Sequence, residues 1–65
     1  MKYIRETTNP IYIATIEVED IGISVEIENI DTKYKETLEM LPDTSIRAID
    51  RYVKNFIKKA ENEKQ

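Results

Sequence analysis

Thirteen acidic and ten basic side chains in 65 residues are the groups with which this chain could do chemistry, and spacing sorts them into two sets. Glu17, Glu19, Glu26 and Glu28 recur at alternate positions within two short apolar segments. On extended strands that spacing puts each pair on one face, because successive side chains alternate sides. Arg47, Arg51, Lys54 and Lys58 stand at i, i+4, i+7 and i+11. On a helix they gather within about 60° of one another along about 17 Å. Aligned carboxylates can dock a basic protein or imitate phosphates, whereas a row of cations can follow a phosphate backbone or an acidic surface.

Other chemistries lack their residues. The chain holds no Cys and no His, which excludes disulfides, thiolate nucleophiles, iron-sulfur clusters, Cys or His zinc sites and every triad built on His. Ser24 and Ser45 are the only serines and neither lies in a G-x-S-x-G setting, while the single glycine, Gly22, cannot build a phosphate-cradling loop. Glu19, Asp20 and Asp31 could offer oxygens to a cation, but without EF-hand spacing. The expectation is no enzyme, no cofactor and no metal.

Charge is divided along the chain. Residues 1 to 32 carry two basic against seven acidic side chains, a balance of −5, and residues 33 to 65 carry eight basic against six acidic, a balance of +2. The sequence pI of about 4.9 disfavours nucleic acid as a partner, since carboxylates next to the cationic row would oppose phosphate binding. No apolar run approaches the roughly 18 residues of a membrane span, and the start lacks the apolar stretch of a signal peptide. A chain without Cys suits a reducing compartment, so the expectation is a soluble, cytoplasmic protein without a membrane partner.

The elements that must position the two charged sets can be read from periodicity. Ile11 to Val18 is rich in β-branched residues and Ile23 to Ile27 alternates apolar and polar, so both read as strands. Glu19-Asp20-Ile21-Gly22 between them suits a four-residue hairpin loop ending on a left-handed Gly22. That loop pairs Val18 with Ile23, Ile16 with Val25 and Ala14 with Ile27, all apolar, and leaves Glu17, Glu19, Glu26 and Glu28 outside with Ile11 and Ile13. After a turn at Asn29 to Thr32, Lys33 to Leu41 reads as a third strand, its Lys33 and Lys35 meeting Glu28 and Glu26 outside and its Tyr34, Leu38 and Met40 inside, with Glu36 misplaced. The competing reading is a helix, with Tyr34, Leu38 and Leu41 on one side. Asp43, Thr44 and Ser45 announce the N-terminus of a helix from about Thr44 to Glu61, whose apolar stripe is Ile46, Ile49, Val53, Phe56, Ile57 and Ala60. Lys58 and Lys59 complement its C-terminal dipole.

The resulting expectation is one α+β domain over residues 1–65, a small antiparallel β-meander of two to four strands packed on one C-terminal helix. The order is β-β-β-α, with β-β-α-α as the alternative. Residues 1–10 form a segment that can add an edge strand, and residues 61–65 fray. A domain this small buries about 60% of its unfolded surface, and its core supplies about 3–5 kcal/mol. Ile11 and Ile13, apolar on a side the helix cannot cover, beside Ile4 or Ile30, call either for cover by Tyr3 and Ile4 of the N-terminal segment folding back or for self-association or a docked partner. The chain is thus expected to be a non-enzymatic protein–protein interaction module, with Ile11, Ile13, Glu17, Glu19, Glu26 and Glu28 as contact residues and another protein or a second copy, as a homodimer, as partner. In size and lack of catalytic groups it resembles, in general terms, small accessory proteins or inhibitors of phages and mobile elements. The alternative is a nucleic-acid-binding accessory protein using Arg47, Arg51, Lys54 and Lys58. In outline a sheet with one helix is similar to the arm-type DNA-binding domains of some recombinases, without matching motif residues.

Overall fold

A computed structural model describes residues 1–63. Four strands, β1 (Lys2–Glu6), β2 (Tyr12–Glu19), β3 (Gly22–Asn29) and β4 (Lys35–Met40), are followed by one helix, α1 (Ile46–Glu63). The strands lie in chain order in one antiparallel sheet. This is the expected meander with its helix, and Lys33 to Leu41 resolves as a strand, trimmed at both ends.

The hairpin register follows from apolar pairing. Val18 faces Ile23, Ile16 faces Val25 and Ala14 faces Ile27, because any one-residue slip would send the whole apolar set to the opposite side. All of these except Val18, which is partly buried against them, form the buried core together with Tyr12 and with Ile49, Val53 and Ile57 of α1. Ser45 caps the helix, its Oγ accepting from the Ala48 N–H at 3.2 Å, which satisfies one of the free donors of the first turn. Two polar links seat α1 over the β1–β2 side. Arg5 forms a bidentate ion pair with Asp50 at 2.7 and 2.8 Å, and Asn9 Nδ2 donates to Glu61 at 2.8 Å.

Several expectations are corrected. Glu19 and Gly22 pair with each other, so the hairpin loop is Asp20-Ile21 alone. Gly22 is not left-handed, since no glycine has a positive φ. Its requirement is spatial: a Cβ there would stand 3.0 Å from the Met40 carbonyl oxygen on β4. Helix α1 runs on through Glu63, so residues 61–63 are helical where fraying was expected, residues 64–65 lie outside the described residues, and Lys58 and Lys59 sit before the last turn. Ile46 is 62% exposed, because it occupies the first helical position, where the stripe runs off the sheet. Phe56 is only half-buried, at the edge of the stripe beside Tyr52, and meets Tyr12 edge-on with ring centroids 6.4 Å apart.

The β3–β4 turn holds the one positive φ of a non-glycine residue among the described residues, Lys33 at 66°. A side chain there crowds the following carbonyl at a cost of about 1–2 kcal/mol. Lys33→Gly is therefore expected to raise stability by about 1 kcal/mol in urea denaturation, net of the added freedom of the unfolded chain. A loss of stability would show that the Lys33 side chain makes a compensating contact.

Candidate interaction surfaces

The helix lies over one face of the sheet, where Leu38 of β4 and the preceding Tyr34 remain exposed, and leaves the other face open. Registers place Lys2, Ile4 and Glu6 of β1, Ile13, Thr15, Glu17 and Glu19 of β2, Ser24, Glu26 and Glu28 of β3, and Lys35, Thr37 and Glu39 of β4 on the open side. That face carries six carboxylates against two ammonium groups. Cross-strand rows run Glu6–Ile13–Glu28–Lys35, Ile4–Thr15–Glu26–Thr37 and Lys2–Glu17–Ser24–Glu39. The β4 register is two residues away from the expected one: Lys35 lies opposite Glu28, where Lys33 was expected, Thr37 takes the place opposite Glu26 expected of Lys35, and Lys33 sits in the turn. The structure therefore brings Glu17, Glu19, Glu26, Glu28 and Ile13 together.

Ile11 does not join them. It precedes β2, is half-buried and packs against the core cluster, because strand alternation begins only at Tyr12. The apolar element of the open face is instead Ile4, 71% exposed, diagonal to Ile13 across the β1–β2 ladder. Sequence reading named Ile4 only as a neighbour; its signal is an isoleucine between alternating charges in Lys2-Tyr3-Ile4-Arg5-Glu6.

Arg47, Arg51, Lys54 and Lys58 are all exposed along α1. Among the described residues the only ion pair is Arg5–Asp50, so this row is not spent on intramolecular pairing. The molecule is two-sided, with carboxylates on the open sheet face and cations on the helix. Asp20 and Asp31 stand in turns at opposite ends of β3, and no group of three or more metal-ligating side chains occurs among the described residues.

On the helix-covered side, a groove of about 380 Å³ separates the second half of α1 from β4, lined by Tyr12, Asn29, Tyr34, Glu36, Phe56 and Lys59 among others. Glu36, inward-facing beside Ile27, accepts a hydrogen bond from the Tyr34 hydroxyl at 3.2 Å. That bond and the Glu36 charge hold the Tyr34 phenol above its ordinary pKa. Burial, then the Glu36 charge, does the same for Tyr52. A phenol held neutral can donate a hydrogen bond, and here it donates to the Glu36 carboxylate that lines the same groove. No helix among the described residues is long and apolar enough to cross a membrane. No protein-family model, curated protein or solved structure matches this chain.

Proposed function

We propose that the chain is a non-enzymatic docking module whose open sheet face receives a basic surface of another protein, in an accessory or inhibitory role. The observation that carries this reading is the face itself: six carboxylates, two lysines and the exposed Ile4 on one side of a sheet that no other element covers. No two of these carboxylates face each other directly, and Glu17 and Glu28 face Lys2 and Lys35. Glu26, however, has Glu17 and Glu39 as diagonal neighbours, and the face keeps an excess of negative charge that a cationic partner offsets. Nucleic acid and anionic lipid carry the wrong sign for this face. Ile4 and Ile13 supply an apolar patch toward the β1 edge of the face, and the charges around it act mainly on association rate and specificity.

The test is capture from nuclease-treated lysate, followed by binding measurements with the captured protein. A basic partner should bind wild type and the Arg51→Gln/Lys54→Gln variant alike and bind Glu17→Lys/Glu26→Lys at least about tenfold more weakly, as expected for like-charge contacts. Retention that vanishes with nuclease and with the Arg51→Gln/Lys54→Gln change would overturn the reading in favour of nucleic-acid binding along α1.

A further inference from the structure

Strand β1 forms one edge of the sheet, and its pairing with β2 fixes which backbone groups remain free. The Val18 N–H donates to the Met1 carbonyl at 2.6 Å, and the Met1 nitrogen donates to the Val18 carbonyl at 2.9 Å. Such hydrogen-bonded pairs recur at every second residue of an antiparallel ladder. Tyr3 and Arg5 therefore aim their N–H and C=O groups at β2, and Lys2, Ile4 and Glu6 aim theirs at the free edge. The side chains of these same three residues stand on the open face.

A second copy related by a two-fold axis through Ile4 satisfies every one of these groups. With Ile4 opposite Ile4, Lys2 faces Glu6 of the second copy and Glu6 faces its Lys2. Each facing pair is of the type that exchanges two backbone hydrogen bonds. Both outer pairs bring opposite charges together, and the most exposed isoleucine of the open face is covered by its own equivalent. On the helix side Tyr3 comes opposite Arg5 of the second copy, a ring beside a guanidinium. Sliding by two residues either way sets Ile4 against a charge and breaks both ion pairs, so a single register is favoured.

The other edge is a poorer candidate. The Asn29 N–H donates to the Tyr34 carbonyl at 2.8 Å, which by the same alternation leaves Lys35, Thr37 and Glu39 facing outward on β4. Pairing about Thr37 matches Lys35 with Glu39 but centres on two threonines, and on the helix side it sets the Glu36 carboxylate of each copy against Leu38 of the other.

We propose that the chain forms a symmetric dimer by pairing β1 with β1 of a second copy about Ile4, joining the two sheets into one continuous sheet with both helices on the same side. A two-fold interface of this kind closes, because one edge serves both subunits. The inference goes beyond the docking reading and does not depend on it: the dimer takes up the β1 edge with Lys2, Ile4 and Glu6, and leaves Glu17, Glu19, Glu26 and Glu28 of the open face for a basic partner.

Sedimentation equilibrium from micromolar to millimolar concentration tests it. Wild type is expected to follow a monomer–dimer equilibrium. Ile4→Pro removes an N–H that makes no bond to β2, so that variant should stay folded by circular dichroism and be monomeric. Thr37→Pro, at the corresponding position of β4, should dimerise like wild type. Lys2→Glu and Glu6→Lys each turn two attractive pairs into repulsive ones and should weaken self-association about tenfold or more. An equimolar mixture of these two variants should restore it as a heterodimer. A monomeric wild type at millimolar concentration, association lost in Thr37→Pro but kept in Ile4→Pro, or a mixture of charge variants that associates no better than either alone would each overturn the proposal. Should Ile4→Pro fail to fold, the charge exchange decides by itself.

Discussion

Ile57→Ala is expected to leave the protein largely unfolded at room temperature. Ile57 is 2% exposed and ranks with Ile16, Ile27 and Val25 among the largest fully buried side chains. Truncating such a residue removes its transfer free energy and leaves a cavity, together about 2–5 kcal/mol. A chain of this length has about 3–5 kcal/mol in total. Urea or thermal unfolding followed by circular dichroism should show no cooperative transition, or one displaced to the edge of the accessible range. A variant that keeps most of its stability would mean that α1 is seated by something other than its apolar stripe. Phe56→Ala is the control. Phe56 is half-buried against Tyr12 and Tyr52, so it should cost about 2 kcal/mol and leave a measurable transition.

Periodicity puts Phe56 and Ile57 in the same stripe without ranking them, and the reason they differ is geometric. Angular position along a helix identifies a stripe but not where the sheet beneath it begins and ends. Ile49, Val53 and Ile57 lie about 40° apart in succession and define the buried line. Phe56 falls on its flank, and Ile46, well placed by angle, lies too early along the axis to meet the sheet. The hairpin register was legible because three facing apolar pairs can be satisfied in only one alignment. The segment before the helix is a strand, as its alternating charges suggested, but its register was not legible: Lys35 was expected against Glu26 and stands against Glu28.

What the sequence hid depends on distant segments. Gly22 reads locally as a turn residue, yet its need for a missing side chain comes from the Met40 carbonyl 18 positions later. The Arg5–Asp50 ion pair and the Asn9–Glu61 hydrogen bond join positions 45 and 52 residues apart, beyond the reach of any local pattern. At the candidate surface the carboxylates were legible because alternation alone assigns them a side. Ile11 was misplaced because alternation was extended one residue past the start of β2. The free edge of β1 could be read only once its partner strand and the Met1–Val18 pair were fixed.

The second large effect is expected at Asn29, the one buried polar residue among the described residues at 5% exposed. Its Oδ1 accepts from the N–H groups of Asp31 and Thr32 at 3.0 and 3.1 Å, its own N–H donates to the Tyr34 carbonyl and its carbonyl accepts from the Lys33 N–H, both at 2.8 Å. One side chain thus closes the turn that delivers β4 to the sheet. Asn29→Ala strips two donors of their acceptor, a loss of about 1–3 kcal/mol, and should speed amide exchange at Asp31 and Thr32 before it affects Ile16 or Val25. Asn29→Asp keeps the accepting oxygens and should retain protection at those two amides, although burying a charge there lowers global stability. If Asn29→Ala left both exchange rates unchanged, the turn would be held by its backbone bonds alone. The position of β4, and with it Lys35 and Glu39 on the open face, would then not depend on this residue.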